Sequence, residues 1–285
     1  MIELIDLALA EDLGDGDWTT KWTVPDAARG TGEIVAKDDL VVAGTEVARA
    51  VFHRLEPDLE IRIHRGDGEA ARPGDVVLSA SGSAHAILSA ERTALNFVGR
   101  LSGIATATRR FVEAIDGTGA RVVDTRKTTP GWRRLEKAAV RAGGGENHRF
   151  GLYDMVLVKE NHIAASGGIA AALEAVRAQN TRRLAVEVEV TSLDELEEAL
   201  TEAPDRVLLD NMEPRLLLAC VSRVRDFRGP QPLLEASGGV TLASVREVAE
   251  TGVDLISVGA LTHSAPSADL SLRFLPHARE AQDGT

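Results

Sequence analysis

The sequence predicts an α/β protein, with a parallel α/β barrel in its second half and a smaller domain before it. Three observations carry that expectation. First, six runs rich in Val, Ile and Leu follow residue 120: RVVDTRK (121–127), MVLVKENH (155–162), LAVEVEV (184–190), RVLLDN (206–211), PLLEASGG (232–239) and LISVGA (255–260). Strands covered on both faces read as such apolar runs, and helical patterns separate most of these. Second, each run carries a polar residue or a glycine at or next to its end, and parallel barrels collect their chemistry at C-terminal strand ends. Third, the length of 285 residues is about twice that of a typical single domain.

Residues 1–14 place Ile2, Ile5, Leu9 and Leu13 at helical spacing and stop at Gly14. GDGDWTT (14–20) is turn chemistry, dominated by Gly and Asp. Short strand patterns follow in GEIVAK, LVVAG, EIRIHR and DVVLSASG, punctuated by RGDG and RPGD, with one helix at EVARAVFHRL. This is an antiparallel region. A long helical pattern runs from 85 to 115, with interruptions expected at Gly99 and Gly103. DGTGA (116–120) ends it before the first barrel strand. These patterns predict a smaller domain at 1–112, joined by the tail 270–285, and a barrel at 113–269.

Composition narrows the function. The chain is 44% hydrophobic but only 4% aromatic, so aliphatic residues must build the core. A net charge of −12 argues against a nucleic-acid surface. It still allows a local cationic cleft for an anionic small molecule. The single cysteine, Cys220, excludes an intrachain disulfide and a multi-cysteine metal site. Its apolar setting, LLLACVSRV, makes it a core residue rather than a nucleophile. The acidic start MIELIDLALAEDLG does not look like a signal peptide, and no run approaches the roughly 20 apolar residues of a membrane span. A cytoplasmic protein is expected.

The strand ends carry Arg126 and Lys127, then Lys159, Glu189, Asp210, the Ser237–Gly238–Gly239 turn and Gly259. Arg suits a carboxylate with its planar fork, and Lys supplies a point charge. Glycines at the last two strand ends let backbone N–H groups approach a phosphate. The plainer reading of isolated Arg and Lys is solvated surface, and for Arg133, Arg134 and Lys137 both readings stay open. A lone His148 is by itself more often structural than a ligand.

Segment 124–162, DTRKTTPGWRRLEKAAVRAGGGENHRFGLYDMVLVKENH, closely resembles the signature region of the quinolinate phosphoribosyltransferases. Further matches are EDLGDGDWTT, SAERTALNFVGRLSGIAT (89–106), VEVEV, LLDN, EASGGV and SVGALTHS, in the expected order along almost the whole chain. The resemblance implies an incomplete, seven-stranded α/β barrel with an N-terminal α/β sandwich domain. It implies a reaction of quinolinate with phosphoribosyl pyrophosphate, with Mg²⁺ as cofactor and a homodimer whose sites are shared. The substrate-binding positions it implies are Arg92 (serving the neighbouring subunit), Thr125, Arg126, Lys127, His148, Arg149, Lys159, Glu189, Asp210, Ser237, Gly238, Gly239, Gly259, Ala260 and His263. Lys127, Lys159, Glu189 and Asp210 are the implied catalytic set. Glu189 and Asp210 would face the ribose and the metal, with Mg²⁺ held mainly by substrate phosphates and water.

Glu187 shares a strand face with Glu189 and is expected to partner a cation such as Lys127 or Lys159. Two departures from the family pattern stand out: KENH in place of KDNH, and Trp132 in place of leucine. Two alternatives remain open at this point. One is a relative associated with molybdenum-transport gene clusters. The other is a non-catalytic phosphometabolite-binding protein.

Overall fold

Helix Ile2–Leu13 buries Ile5 and Leu9, one turn apart, and stops at Gly14. The computed structural model describes residues 1–277, so residues 278–285 of the expected tail lie outside the described residues. GDGDWTT is a turn only as far as Asp17. There the Asp17 carboxylate accepts the Thr20 N–H at 3.0 Å and caps a short helix, Trp18–Thr23. The cap supplies what the turn-rich composition concealed.

The chain divides into two compact units. The first comprises Met1–Ala107, Arg134–Gly143 and the chain from Ala265. Its antiparallel sheet is ordered Leu270–Pro276, Arg29–Ala36, Val76–Ser83, Glu60–Ile63. Helix Thr45–Leu55 presents Val47, Ala48, Val51 and Phe52 as its buried face. Helix Ala84–Ala114 runs unbroken for 31 residues, against the expected interruptions at Gly99 and Gly103. Both glycines stay helical because their missing side chains admit another stretch of backbone. A Cβ at Gly103 would collide with the Pro266 carbonyl, and one at Gly99 would sit 3.1 Å from the Ala268 oxygen. The glycines mark a close crossing rather than a break.

The second unit comprises Thr108–Arg133 and Gly144–Ser264. All six predicted strands form, at Arg121–Val123, Val156–Val158, Val186–Val190, Arg206–Asp210, Leu233–Ser237 and Leu255–Ser257. They make one parallel sheet, in which the first strand pairs with the last and the order then runs back to Val156–Val158. The seventh position is reduced to a single parallel bridge between Glu146 and Val123, held by Glu146 N–H to the Val122 carbonyl (2.8 Å) and Asp124 N–H to the Glu146 carbonyl (3.1 Å). This is an incomplete α/β barrel. Its register lines up the C-terminal ends: Val123 pairs with Ser257, Ser257 with Ser237, and Ser237 with Asp210. Whatever follows these residues in sequence therefore gathers on one rim.

Among the described residues no helix is long and apolar enough to cross a membrane. Cys220 is free and buried in helix Pro214–Asp226, where burial pushes its thiol up to about 11.

Candidate active site

On that rim lies a cleft of about 460 Å³, lined by Thr125, Arg126, Lys127, His148, Arg149, Lys159, Asp210, Ser237, Gly238 and Gly239 among others. Leu157 with Lys159, Leu208 with Asp210, and Glu235 with Ser237 each sit two residues apart on one strand or its end, so the same face of each supplies the wall.

Arg126 and Lys127 sit just past the first strand and are exposed to the cleft. The turn is fixed from several sides. Lys127 N–H donates to Thr125 Oγ1 (3.0 Å), and Thr262 Oγ1 donates to the Lys127 carbonyl (2.8 Å). Arg133 donates to Thr128 Oγ1 and to the carbonyls of Arg126 and Phe150. Arg133 is thus a brace of the cation loop. Lys137 is 1% exposed, which rules out solvated surface for it, whereas Arg134 is exposed.

Arg149 is half-buried and donates one hydrogen bond to the Met155 carbonyl. Burial, and then the positive charge of nearby Arg126, hold its guanidinium below its usual value. Two like charges held close in a cleft are a ready binding site for a dianion.

Lys159 pairs with Glu189 at 2.6 Å, and the Glu160 N–H points at the other Glu189 oxygen at 3.4 Å. Asp210 accepts a hydrogen bond from Asn211 at 2.7 Å on Oδ2, and its Oδ1 accepts none among the described residues. Gly238 and Gly239 are consecutive left-handed residues, φ 98° and 61°. Gly259 opens the short helix Ala260–His263, and a side chain there would press on Lys127 and His263. Gly259, Ala260 and His263 therefore sit beside the cleft rather than in its lining, with His263 bonded to Ser264 (2.6 Å). Arg92 belongs to the first unit, exposed on helix Ala84–Ala114.

The cleft floor is a buried polar cluster. His148 Nε2 lies 2.9 Å from Glu187 and 3.2 Å from Glu235, both carboxylates fully enclosed. The pairing of Glu187 with His148 corrects the expected partnership with Lys127 or Lys159. Asp124, also fully buried, accepts the His148 N–H (2.9 Å) and the Asn147 side-chain amide (2.6 Å).

Sequence and structure comparisons bear on this arrangement. The family model for the quinolinate phosphoribosyl transferase C-terminal domain matches residues 104–273, and that for its N-terminal domain matches residues 17–102. The chain belongs to the quinolinate phosphoribosyl transferase family. It is 46% identical over 268 residues to the nicotinate-nucleotide pyrophosphorylase [carboxylating] of Mycobacterium leprae, covering 93% of this chain and 94% of that one. It is 44% identical over 267 residues to the probable enzyme of the same name from Synechocystis, covering 94% and 90%. Among solved structures, NadC from Streptococcus pyogenes superposes with a TM-score of 0.92 at 36% identity, covering 97% of this chain and 96% of that one.

In this family member the floor cluster went largely unread from sequence. Its signal was present: Glu235 is a charged residue inside an apolar strand, and such a residue needs a partner. Burial raises the Glu187 carboxyl and the charge of Glu235 adds to it, while contact with His148 works against both. Burial opposes charge on His148, but the two carboxylates outweigh it and push the ring up to about 9. Both directions say that the trio holds on to a proton. The Arg149 N–H lies 2.7 Å from Nδ1 of the same ring.

The three ligand-type atoms could in principle bracket a cation. His148 Nε2 lies within 3.2 Å of both carboxylates, and their charge favours a proton on the ring, so the cluster reads as a proton-holding floor. Glu187→Gln, which mimics the protonated acid, should fold within about 1 kcal/mol of the parent. Glu187→Ala should lose about 3 kcal/mol by stranding its buried partners. Chemical denaturation measures both, and equal losses would place a full charge on Glu187.

Proposed function

We propose that this chain transfers phosphoribosyl from phosphoribosyl pyrophosphate to quinolinate with decarboxylation, giving nicotinate mononucleotide, pyrophosphate and CO₂. The observation that carries this reading is the set of cations Arg126, Lys127, Arg149 and Lys159 lining one cleft. One carboxylate needs one such cation; two carboxylates on adjacent ring carbons make use of the set.

Cleavage at the anomeric carbon builds positive charge on the ribose as pyrophosphate departs. Asp210, on the rim next to the glycine turn, would offset it, with Glu189 acting from a nearby strand. Lys159, already paired with Glu189, is shared between that acid and the incoming anion. Attack by the pyridine nitrogen makes the ring cationic, the cation stabilises the carbanion left when the 2-carboxylate leaves as CO₂, and that carbon then takes a proton from water. Gly238 and Gly239 suit the 5′-phosphate, which needs backbone N–H groups at close range.

Mg²⁺ fits an all-oxygen donor set, and Asp210 Oδ1 is the open oxygen; Glu189 has both of its oxygens engaged. When bound, the ion would neutralise the pyrophosphate. Removing it with a chelator, and restoring it, tests the assignment.

A coupled assay with quinolinate, phosphoribosyl pyrophosphate and Mg²⁺ tests the reaction itself. The chain is further proposed to act as a cytoplasmic homodimer in which Arg92 serves the neighbouring site. Arg92→Ala should be inactive and Lys127→Ala poorly active at low quinolinate, and mixing them should raise activity, because some sites then draw intact residues from both subunits. No recovery after demonstrated subunit exchange would count against sharing.

A further inference from the structure

Asn211, directly after Asp210, is one of three non-glycine residues in left-handed backbone, at φ 53°, among the described residues. Asparagine tolerates that conformation better than most side chains. Three contacts use it. The Asn211 N–H donates to the Ser237 carbonyl at 2.8 Å, extending the ladder one residue beyond the Asp210–Ser237 pair. Its side-chain Nδ2 donates to Asp210 Oδ2 at 2.7 Å. Its Oδ1 then faces Gly238, where a Cβ would collide with it. The opposite amide orientation would set Oδ1 against the Asp210 carboxylate, so the contact itself fixes which end is which.

We infer that Asn211 is the positioning residue of the reaction: it holds the Asp210 carboxylate in one rotamer, with Oδ1 turned free, and ties it to the Ser237–Gly238 turn. Gly238 is glycine in part to make room for that amide. The inference rests on the role proposed above for Asp210. Asn211 lines the cleft beside Asp210, and the role assigned to it is to aim that acid: one amide N–H is held by the carboxylate and its backbone N–H by the adjoining strand. The left-handed turn is what permits this. In extended backbone the side chains of residues 210 and 211 would point to opposite faces of the sheet.

The experiment uses the full chain and four variants: Asn211→Gly, Asn211→Ala, Asp210→Asn and the double variant Asp210→Asn/Asn211→Gly. Glycine keeps the left-handed backbone and removes only the amide, so Asn211→Gly decides the matter even if Asn211→Ala fails to fold. Asn211→Gly should lower kcat about 10- to 100-fold, the scale of one hydrogen bond to a charged group. The quinolinate KM should stay within about twofold and the melting temperature nearly unchanged. The double variant should be no slower than Asp210→Asn alone, since the amide then has no carboxylate to aim. Multiplying losses would overturn the inference, as would a rise in both KM values together with a lowered melting temperature. Parental kcat in Asn211→Gly beside a crippled Asp210→Asn overturns it and leaves the proposed function standing. Parental kcat in Asp210→Asn overturns the role of Asp210, and this inference with it.

Discussion

Arg149→Ala is expected to raise the quinolinate KM about 30- to 1,000-fold, the range for removing one partner of a desolvated charge pair. Arg149 is half-buried and its charge is disfavoured by burial and by Arg126, so the free cleft stores electrostatic repulsion that a dianion relieves. Lys127→Ala should weaken quinolinate in the same direction, and less strongly, since Lys127 is more exposed. The same argument predicts that nicotinate, one carboxylate short, is used at least about 100-fold less efficiently as judged by kcat/KM. Steady-state kinetics with both acids measures this. Comparable turnover of nicotinate would remove the dicarboxylate assignment.

The second large effect concerns the acids. Asp210→Asn should lower kcat by about 10²- to 10³-fold, the usual scale for losing one group aimed at transition-state charge. The amide keeps the volume and loses the charge, so quinolinate binding should change little. Glu189→Gln should also slow turnover, yet bind quinolinate as tightly as the parent or tighter. Lys159 would lose its 2.6 Å partner there and keep its whole charge for the substrate. Equilibrium binding measured beside kcat separates these effects. Lower thermal stability with normal turnover in both variants would instead mark the two as structural acids.

The six barrel strands were legible because burial on both faces forces an apolar run, and their ends were legible because polar residues interrupt those runs at one rim. Arg126, Lys127, Lys159 and Asp210 were found this way and do share one cleft. The seventh strand was not legible. Its one bridging residue, Glu146, sits in GGGENHR, which has no strand pattern, and two backbone bonds hold it in place. A glycine that admits a carbonyl looks the same in sequence as one that ends a helix, so the sequence predicts interruptions that helix Ala84–Ala114 lacks. The partners of His148 were hidden for another reason. Glu187 and Glu235 lie far along the chain, and only the curled sheet brings them to one imidazole.

The single-residue bridge at Glu146 also bears on what the sheet margins offer to other chains. An unclosed parallel sheet has two margins, and a long margin of unpaired N–H and C=O groups invites strand addition from another chain and growth into aggregates. Here one margin ends at a lone bridging residue. The other is a strand of three residues, Val156–Val158, followed almost at once by helix Glu160–Ser166. Neither offers a template long enough for a foreign strand to register. The barrel can leave its seam unsealed because each side of it is too short to recruit a neighbour.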